Sequence, residues 1–222
     1  MGIYFNEIGK IHLNDKYPII GAPVSHGIID WWKLDEDVIG EFNGYTGTTG
    51  GSFIDSKYLD ISNSTLNVLD SFPLNTGDWS YSFFIKGGDF LTSLETTSNS
   101  AHTDTIFKFE PTVWNVNGQP VRAHVIQYNI IEYWVRQADV DWNNWTHWTW
   151  QLVFNGINNG YLFCYRNGIQ ITSAPFYRDY EKWMPRDFTG FLWSGTSCIR
   201  DIILYDRNLN VDEILYNYNA LK

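Results

Sequence analysis

Two cysteines in 222 residues are too few to staple a small fold or to build a structural zinc site. Cys164 and Cys198 both fall in apolar, strand-like segments and are expected as reduced core thiols. Basic residues are scarce too: 15 Lys and Arg stand against 25 Asp and Glu, a net charge of −10. A chain this acidic, with no basic cluster, repels phosphate backbones, which argues against nucleic acid as a partner. No apolar run approaches the ~20 residues a helix needs to span a bilayer. The opening MGIYFNEIGKIHLNDK lacks the apolar stretch and small-residue cleavage site of a secretory signal, and Asn6 stands where myristoylation requires Ser or Thr. The expected location is the cytoplasm, an unconventional export route, or an assembled particle. The five histidines, His12, His26, His102, His124 and His147, are scattered, with no pair at zinc-ligand spacing beside a third ligand.

What the chain has in quantity is aromatic residues. Eleven Trp, fourteen Tyr and fourteen Phe make up 18% of it, ample for a packed core and typical of strands. Short alternating segments recur, separated by turn dipeptides. Asn117-Gly118 and Asn167-Gly168 sit between apolar runs, as type I′ hairpins prefer, and Asn43-Gly44 and Asn159-Gly160 give similar breaks. Strands are predicted near 28–34, 57–61, 79–86, 89–95, 103–110, 121–136, 146–155, 160–166, 169–173 and 198–206, and Gly44–Ser52 reads as a glycine-rich loop. A procession of strands without long helices between them predicts an antiparallel sandwich in one domain. Only LNVDEILYNYN reads as helix. Asn210 is its N-cap, Glu213 completes a capping box, and Leu209 with Ile214 forms the staple. Residues 1–25 lack a clear period and are set apart as an N-terminal arm or an extra edge strand; residues 26–222 form the domain proper.

Three groups of segments then fall into a recognisable order. They are Ile28–Asp35 with Ser56–Ile61 and Asp78–Lys86; Trp148–Gly156 with Tyr161–Gln170; and Cys198–Ile214. Together they resemble the laminin G-like, concanavalin A-like jelly rolls, over roughly residues 28–218. The resemblance implies an all-β, concanavalin A-like jelly-roll sandwich of two antiparallel sheets with a short C-terminal helix. It implies little about chemistry, because that fold carries lectins, adhesion modules, glucanases and virion proteins alike.

An enzyme on such a fold would be expected to pair two carboxylates on one strand face. The acidic cluster Asp35-Glu36-Asp37 with Glu41 lies in a loop, Glu132 has no acidic partner two or four residues on, and no Gly-x-Ser-x-Gly turn exists. A non-enzymatic chain is expected. Calcium is a possible ligand, since related folds hold it in rim loops. The loop acids are Asp89, Asp104, Asp139 and Asp141, and Asp139-x-Asp141 beside Asn143 and Asn144 is the densest oxygen cluster. Two sequons, Asn63-Ser-Thr65 and Asn144-Trp-Thr146, read as chance matches without a secretory signal.

The stretch WNNWTHWTW, residues 142–150, bears most directly on function. Alternation places Trp148, Trp150, Leu152 and Phe154 on one apolar face, expected in the core, and His147, Thr149 and Gln151 on the other, expected to face outward. Trp142 and Trp145 precede the strand and are the freer pair. The candidate ligand-binding set is therefore Trp142, Trp145, His147 and Gln151, with Trp134 and Arg136 from the 121–136 strand, and the candidate metal set is Asp139 and Asp141. The expected activity is recognition or display. The expected setting is a virion surface, such as a phage capsid decoration or tail-fibre protein, with glycans as ligands and capsid or tail subunits meeting residues 1–25. A free-standing lectin is the alternative, and a glycoside hydrolase is a distant third.

Overall fold

A computed structural model describes residues 4–5, 11–12, 21–62, 64–68, 72–73, 78–97, 103–110, 122–125, 131–134, 141–154, 159–177 and 187–222. Two short strands, β1 (Tyr4–Phe5) and β2 (Ile11–His12), pair antiparallel with each other in a ladder of their own. The other strands are β3 (Ile28–Trp32), β4 (Gly47–Thr49), β5 (Ser52–Ile54), β6 (Tyr58–Asp60), β7 (Ser64–Val68), β8 (Phe72–Pro73), β9 (Trp79–Thr97), β10 (Thr103–Glu110), β11 (Arg122–Val125), β12 (Ile131–Trp134), β13 (Thr146–Phe154), β14 (Asn159–Arg166), β15 (Ile169–Tyr177) and β16 (Asp187–Tyr205). All fourteen join one continuous antiparallel ladder, and helix α1 (Val211–Leu221) follows.

The ladder becomes a sandwich because its two longest strands fold over. Tyr81 and Thr92 lie eleven residues apart on β9, yet their hydroxyls hydrogen-bond at 2.9 Å; in a straight strand they would stand ~36 Å apart. The fold-over falls at Gly87, whose φ of +111° suits glycine alone. A β-carbon there would meet the Ser197 backbone at 2.9 Å. The facing strand β16 shifts register at the same corner, between Thr196 and Cys198. One layer therefore holds the first half of β9 between β13–β14–β15 and the second half of β16, with β3 and β6 beyond. The other holds the second half of β9 between β10–β11–β12 and the first half of β16, with β7 and β4 beyond.

Aromatic side chains fill the space between the layers. Trp193 donates its indole N–H to the Tyr81 hydroxyl at 2.7 Å and meets Phe83 edge-on at 4.7 Å. Phe109 packs against both Trp148 and Trp150, at 5.1 and 5.0 Å. Each large side chain so enclosed contributes roughly 1.5–3 kcal/mol.

Four sequence-based expectations need correction. Gly44–Ser52 is not all loop, because Gly47–Thr49 forms β4 against β7. The single strand over 121–136 is instead an antiparallel pair, β11 with β12, aligning Arg122 with Trp134. The backbones of Asp89 and Asp104 belong to β9 and β10 rather than to loops. Cys198 is half-buried beside the corner while Cys164 is fully buried, and both thiols are free. The Asn117-Gly118 turn lies outside the described residues.

The helix forms as its cap dictates. The Asn210 side chain accepts the Glu213 amide and the Glu213 carboxylate accepts the Asn210 amide, closing the capping box. Burial alone would raise the Glu213 carboxyl, but bonds from Arg207 and the Asn210 amide hold it below its ordinary value. Ile214, Asn217 and Leu221 face inward, seating the helix on the outer face of the first layer in a second apolar cluster with Trp31, Phe84, Tyr165, Ile203 and Tyr205.

Candidate functional site

The residues Asp141–Trp150 build the site from one end. Asp141 closes an Asx turn: its carboxylate accepts the Asn143 amide at 3.0 Å and the Asn144 side chain at 2.6 Å. Those bonds, from Asn143 first, hold its carboxyl below the ordinary value. Its oxygens are thus committed within the turn, Asp139 lies outside the described residues, and no group of three or more metal-ligating side chains occurs among the described residues.

The turn sends its two tryptophans to different places. The Trp142 carbonyl accepts the Gly87 amide at 2.9 Å, tying the turn to the sandwich corner. Its indole stacks on Trp148, centroids 6.1 Å apart and planes 19° apart, and so closes the end of the core. Trp145 turns to the outer face instead. Its ring meets Tyr58 of β6 edge-on at 5.3 Å, and the Arg200 guanidinium of β16 lies 5.2 Å from its centre.

Strand register sets the surroundings. Ile85, Ile199 and Leu59 face the core, so their strand neighbours Lys86, Arg200, Tyr58 and Asp60 point outward. Cys198 pairs with both Lys86 and Asp60 across three adjacent strands. The helix stops short of this row, its last turn ending where the Leu221 carbonyl accepts Arg200 Nη1 at 2.7 Å. Beyond that point the outer sheet face forms a ledge with Trp145, Tyr58, Asp60 and Arg200 half-exposed and Lys86 exposed. Arg200 also bonds Asp201 and lies 4.3 Å over Phe84, so its position is fixed from several sides. Partial desolvation, then the charges of Cys198, Asp55 and Asp60, hold the Tyr58 hydroxyl above its ordinary value, leaving it a hydrogen-bond donor. Arg200 and Lys86 supply positive charge and Asp60 a carboxylate along this face. A fixed aromatic pair flanked by donors and acceptors of both signs can stack on an apolar ring face while bonding hydroxyls around it.

The other sequence candidates lie elsewhere. His147 and Gln151 are not outward-facing: both are buried under α1, His147 completely. The polar face of β13 is covered by α1, whose Tyr218 stacks on His147, and by the segment just before it, which meets Gln151. Gln151 donates to Ser80 Oγ and to the Leu209 carbonyl, each at 2.9 Å, and Ser80 Oγ donates to the Arg207 carbonyl at 2.7 Å. His147 Nε2 bonds Ser82 Oγ at 2.7 Å. That Ser–His contact has the reach of a nucleophile–base pair, but it is sealed from solvent and no acid among the described residues orients Nδ1. Trp134 belongs to β12, opposite Arg122, in the other layer, and Arg136 lies outside the described residues. Of the sequence candidates, Trp145 is the one that lies on the ledge; Tyr58, Asp60, Lys86 and Arg200 beside it were not among them.

No family signature and no curated protein sequence matches the chain. Solved structures do match. The fold is shared with toxin binding domains. The binding domain of botulinum neurotoxin serotype D/C superposes with a TM-score of 0.63 at 13% identity, over 88% of this chain and 52% of that one. The binding domain of Paraclostridial Mosquitocidal Protein 1 gives 0.61 at 16% identity, over 87% and 52%. A structure of botulinum neurotoxin type C, whose cell entry is dependent upon interaction with two ganglioside molecules, gives 0.61 at 13%, over 88% and 51%. The chain thus spans about half the length of these neighbours, and at such identity the likeness establishes a β-sandwich fold.

Proposed function

We propose that this chain is a non-enzymatic recognition module that binds glycans on the ledge formed by Trp145, Tyr58, Asp60, Lys86 and Arg200. The observation that carries this reading is the Trp145–Tyr58 pair, fixed at 5.3 Å on a sheet face that the helix leaves open. Charges of both signs around it favour the hydroxyls of a neutral sugar over a ligand of one charge. The binding-domain neighbours support recognition, and the sealed Ser82–His147 contact supports the absence of catalysis. The order of the three groups of sequence segments supports placing the chain among the laminin G-like jelly rolls. A glycan array probed with the intact chain should return bound oligosaccharides, and Trp145→Ala or Tyr58→Ala should lower the signal at least tenfold, as loss of a stacking ring predicts. An array without signal from the intact chain would remove the reading.

The setting we propose is a virion surface, a phage capsid decoration or tail-fibre component, with residues 1–25 docking on capsid or tail subunits. Its support is that β1 and β2 pair with each other and, among the described residues, with no strand of the sandwich. Deleting residues 2–20, which spares the buried Pro23 and the Val24 amide that Asn217 accepts, should leave the denaturation midpoint of the sandwich in place while abolishing assembly measured by light scattering. Unchanged assembly would leave a free-standing lectin as the better description.

A further inference from the structure

The histidine under the helix has no use in glycan binding, and its surroundings give it another. His147 is wholly enclosed: Phe84 covers its ring at 4.6 Å and Tyr218 of α1 stacks on it at 5.9 Å, 28° from parallel. Nε2 bonds Ser82 Oγ, and Nδ1 is buried with no hydrogen-bond partner among the described residues. The neutral ring fits this arrangement when Nε2–H donates to Ser82, because Nδ1 then buries only a lone pair. A second proton would place an N–H in an apolar enclosure without an acceptor.

Among the described residues, the groups facing the ring from each element add to that difficulty. Strand β16 contributes the Arg200 guanidinium, which lies over Phe84 against the same ring. From β9 and β13 come the Ser82 and Thr149 hydroxyls, bonded to each other at 3.2 Å. On β14, Tyr165 lies opposite Thr149. Helix α1 contributes Tyr218, with the Lys222 ammonium 5.1 Å over it. The Asp201 carboxylate is bound instead to Arg200 and to the Trp31 indole at 3.0 Å.

We propose that α1 is an acid-released cover, seated while His147 is neutral and lifted when His147 takes up a proton. Release would open the outer face of the first layer, where Phe84, Tyr165, Ile203 and Tyr205 now lie buried against the helix. Burial, with the Arg200 charge adding to it, depresses the His147 pKa from 6.5 to about 3. The sign follows: the docked state binds fewer protons than the released one, so docking is complete above 6.5 and weakens as pH falls. It weakens about tenfold per unit until about 3, and so ~30-fold at pH 5.

Hydrogen exchange of the intact chain, read as protection factors for the amides of α1, tests this. The expected result is a ~30-fold loss of α1 protection between pH 7 and pH 5, with the amides of β9 and β16 unchanged and hydrophobic-dye binding rising in step. His147→Phe should abolish the pH dependence; should it fail to fold, His147→Gln, which can keep the Ser82 bond, serves instead. Asp201→Asn should retain the dependence, which separates the histidine from the nearby carboxylate. Equal loss in the histidine variants, constant α1 protection down to pH 5, or parallel loss in the core strands would each overturn the proposal.

Discussion

Replacing Asp30 with alanine is expected to lower the stability of the domain by about 3–5 kcal/mol, and the melting temperature by ~6–20 °C for a chain of this size. Asp30 is completely buried on β3, and its carboxylate accepts four backbone amides, from Trp31, Phe42, Asn43 and Tyr45. Three of them belong to the loop that folds back over β3, so one side chain fixes the path of that loop. Tyr45 in turn accepts the Trp32 indole N–H through its carbonyl at 2.9 Å, passing the constraint to the core. Alanine would leave a set of desolvated N–H groups without acceptors, whereas asparagine keeps one oxygen and should fall between the two. Gly40→Ala should act in the same direction, since a β-carbon there would lie 1.9 Å from the Asp30 carboxylate. Chemical denaturation of Asp30→Ala and Asp30→Asn beside the parent chain checks the order. An Asp30→Ala loss below about 1 kcal/mol would mean the loop finds other acceptors.

Trp148→Ala is the second large effect, expected at about 3–5 kcal/mol because a buried indole is removed and its cavity cannot close. Trp148 is fully buried, packed by Phe109 at 5.1 Å and capped by Trp142 at 6.1 Å. The informative comparison lies three residues away. Trp145 is half-exposed, so Trp145→Ala should cost only ~1 kcal/mol while removing the binding platform. Denaturation midpoints of the two variants separate the roles, and equal losses would mean that Trp145 is core as well.

Much of this architecture is readable from local pattern, because each feature is set by neighbours in sequence. Alternation in 79–86 and 146–154 identifies the core face correctly: Trp79, Tyr81, Phe83, Trp148 and Trp150 are all fully buried. Asn167 and Gly168 take φ of +51° and +79°, as their hairpin turn requires. The capping box of α1 likewise follows from two residues, Asn210 and Glu213. What alternation cannot tell is what lies over the other face. The polar set His147, Thr149 and Gln151 reads as solvent-facing, yet a helix some sixty residues later covers it, and its hydrogen bonds go to Ser80 and Ser82 of β9 and to the Leu209 carbonyl just before that helix. Glycine corners mislead in a related way, because Gly87 resembles the end of a strand but is the fold-over of β9. The ledge was only partly legible for the same reason. Tyr58, Lys86, Trp145 and Arg200 come from four distant segments that meet only through the pairing of β6, β16, β9 and β13.

The most direct test of the central claim is a calorimetric titration of a glycan selected on the array into three proteins: the intact chain, Trp145→Ala and Tyr58→Ala. The ledge predicts saturable one-site binding to the intact chain and at least tenfold weaker binding to each variant, with both variants keeping the parent far-UV spectrum. Affinity unchanged in both variants would place the glycan elsewhere and contradict the ledge.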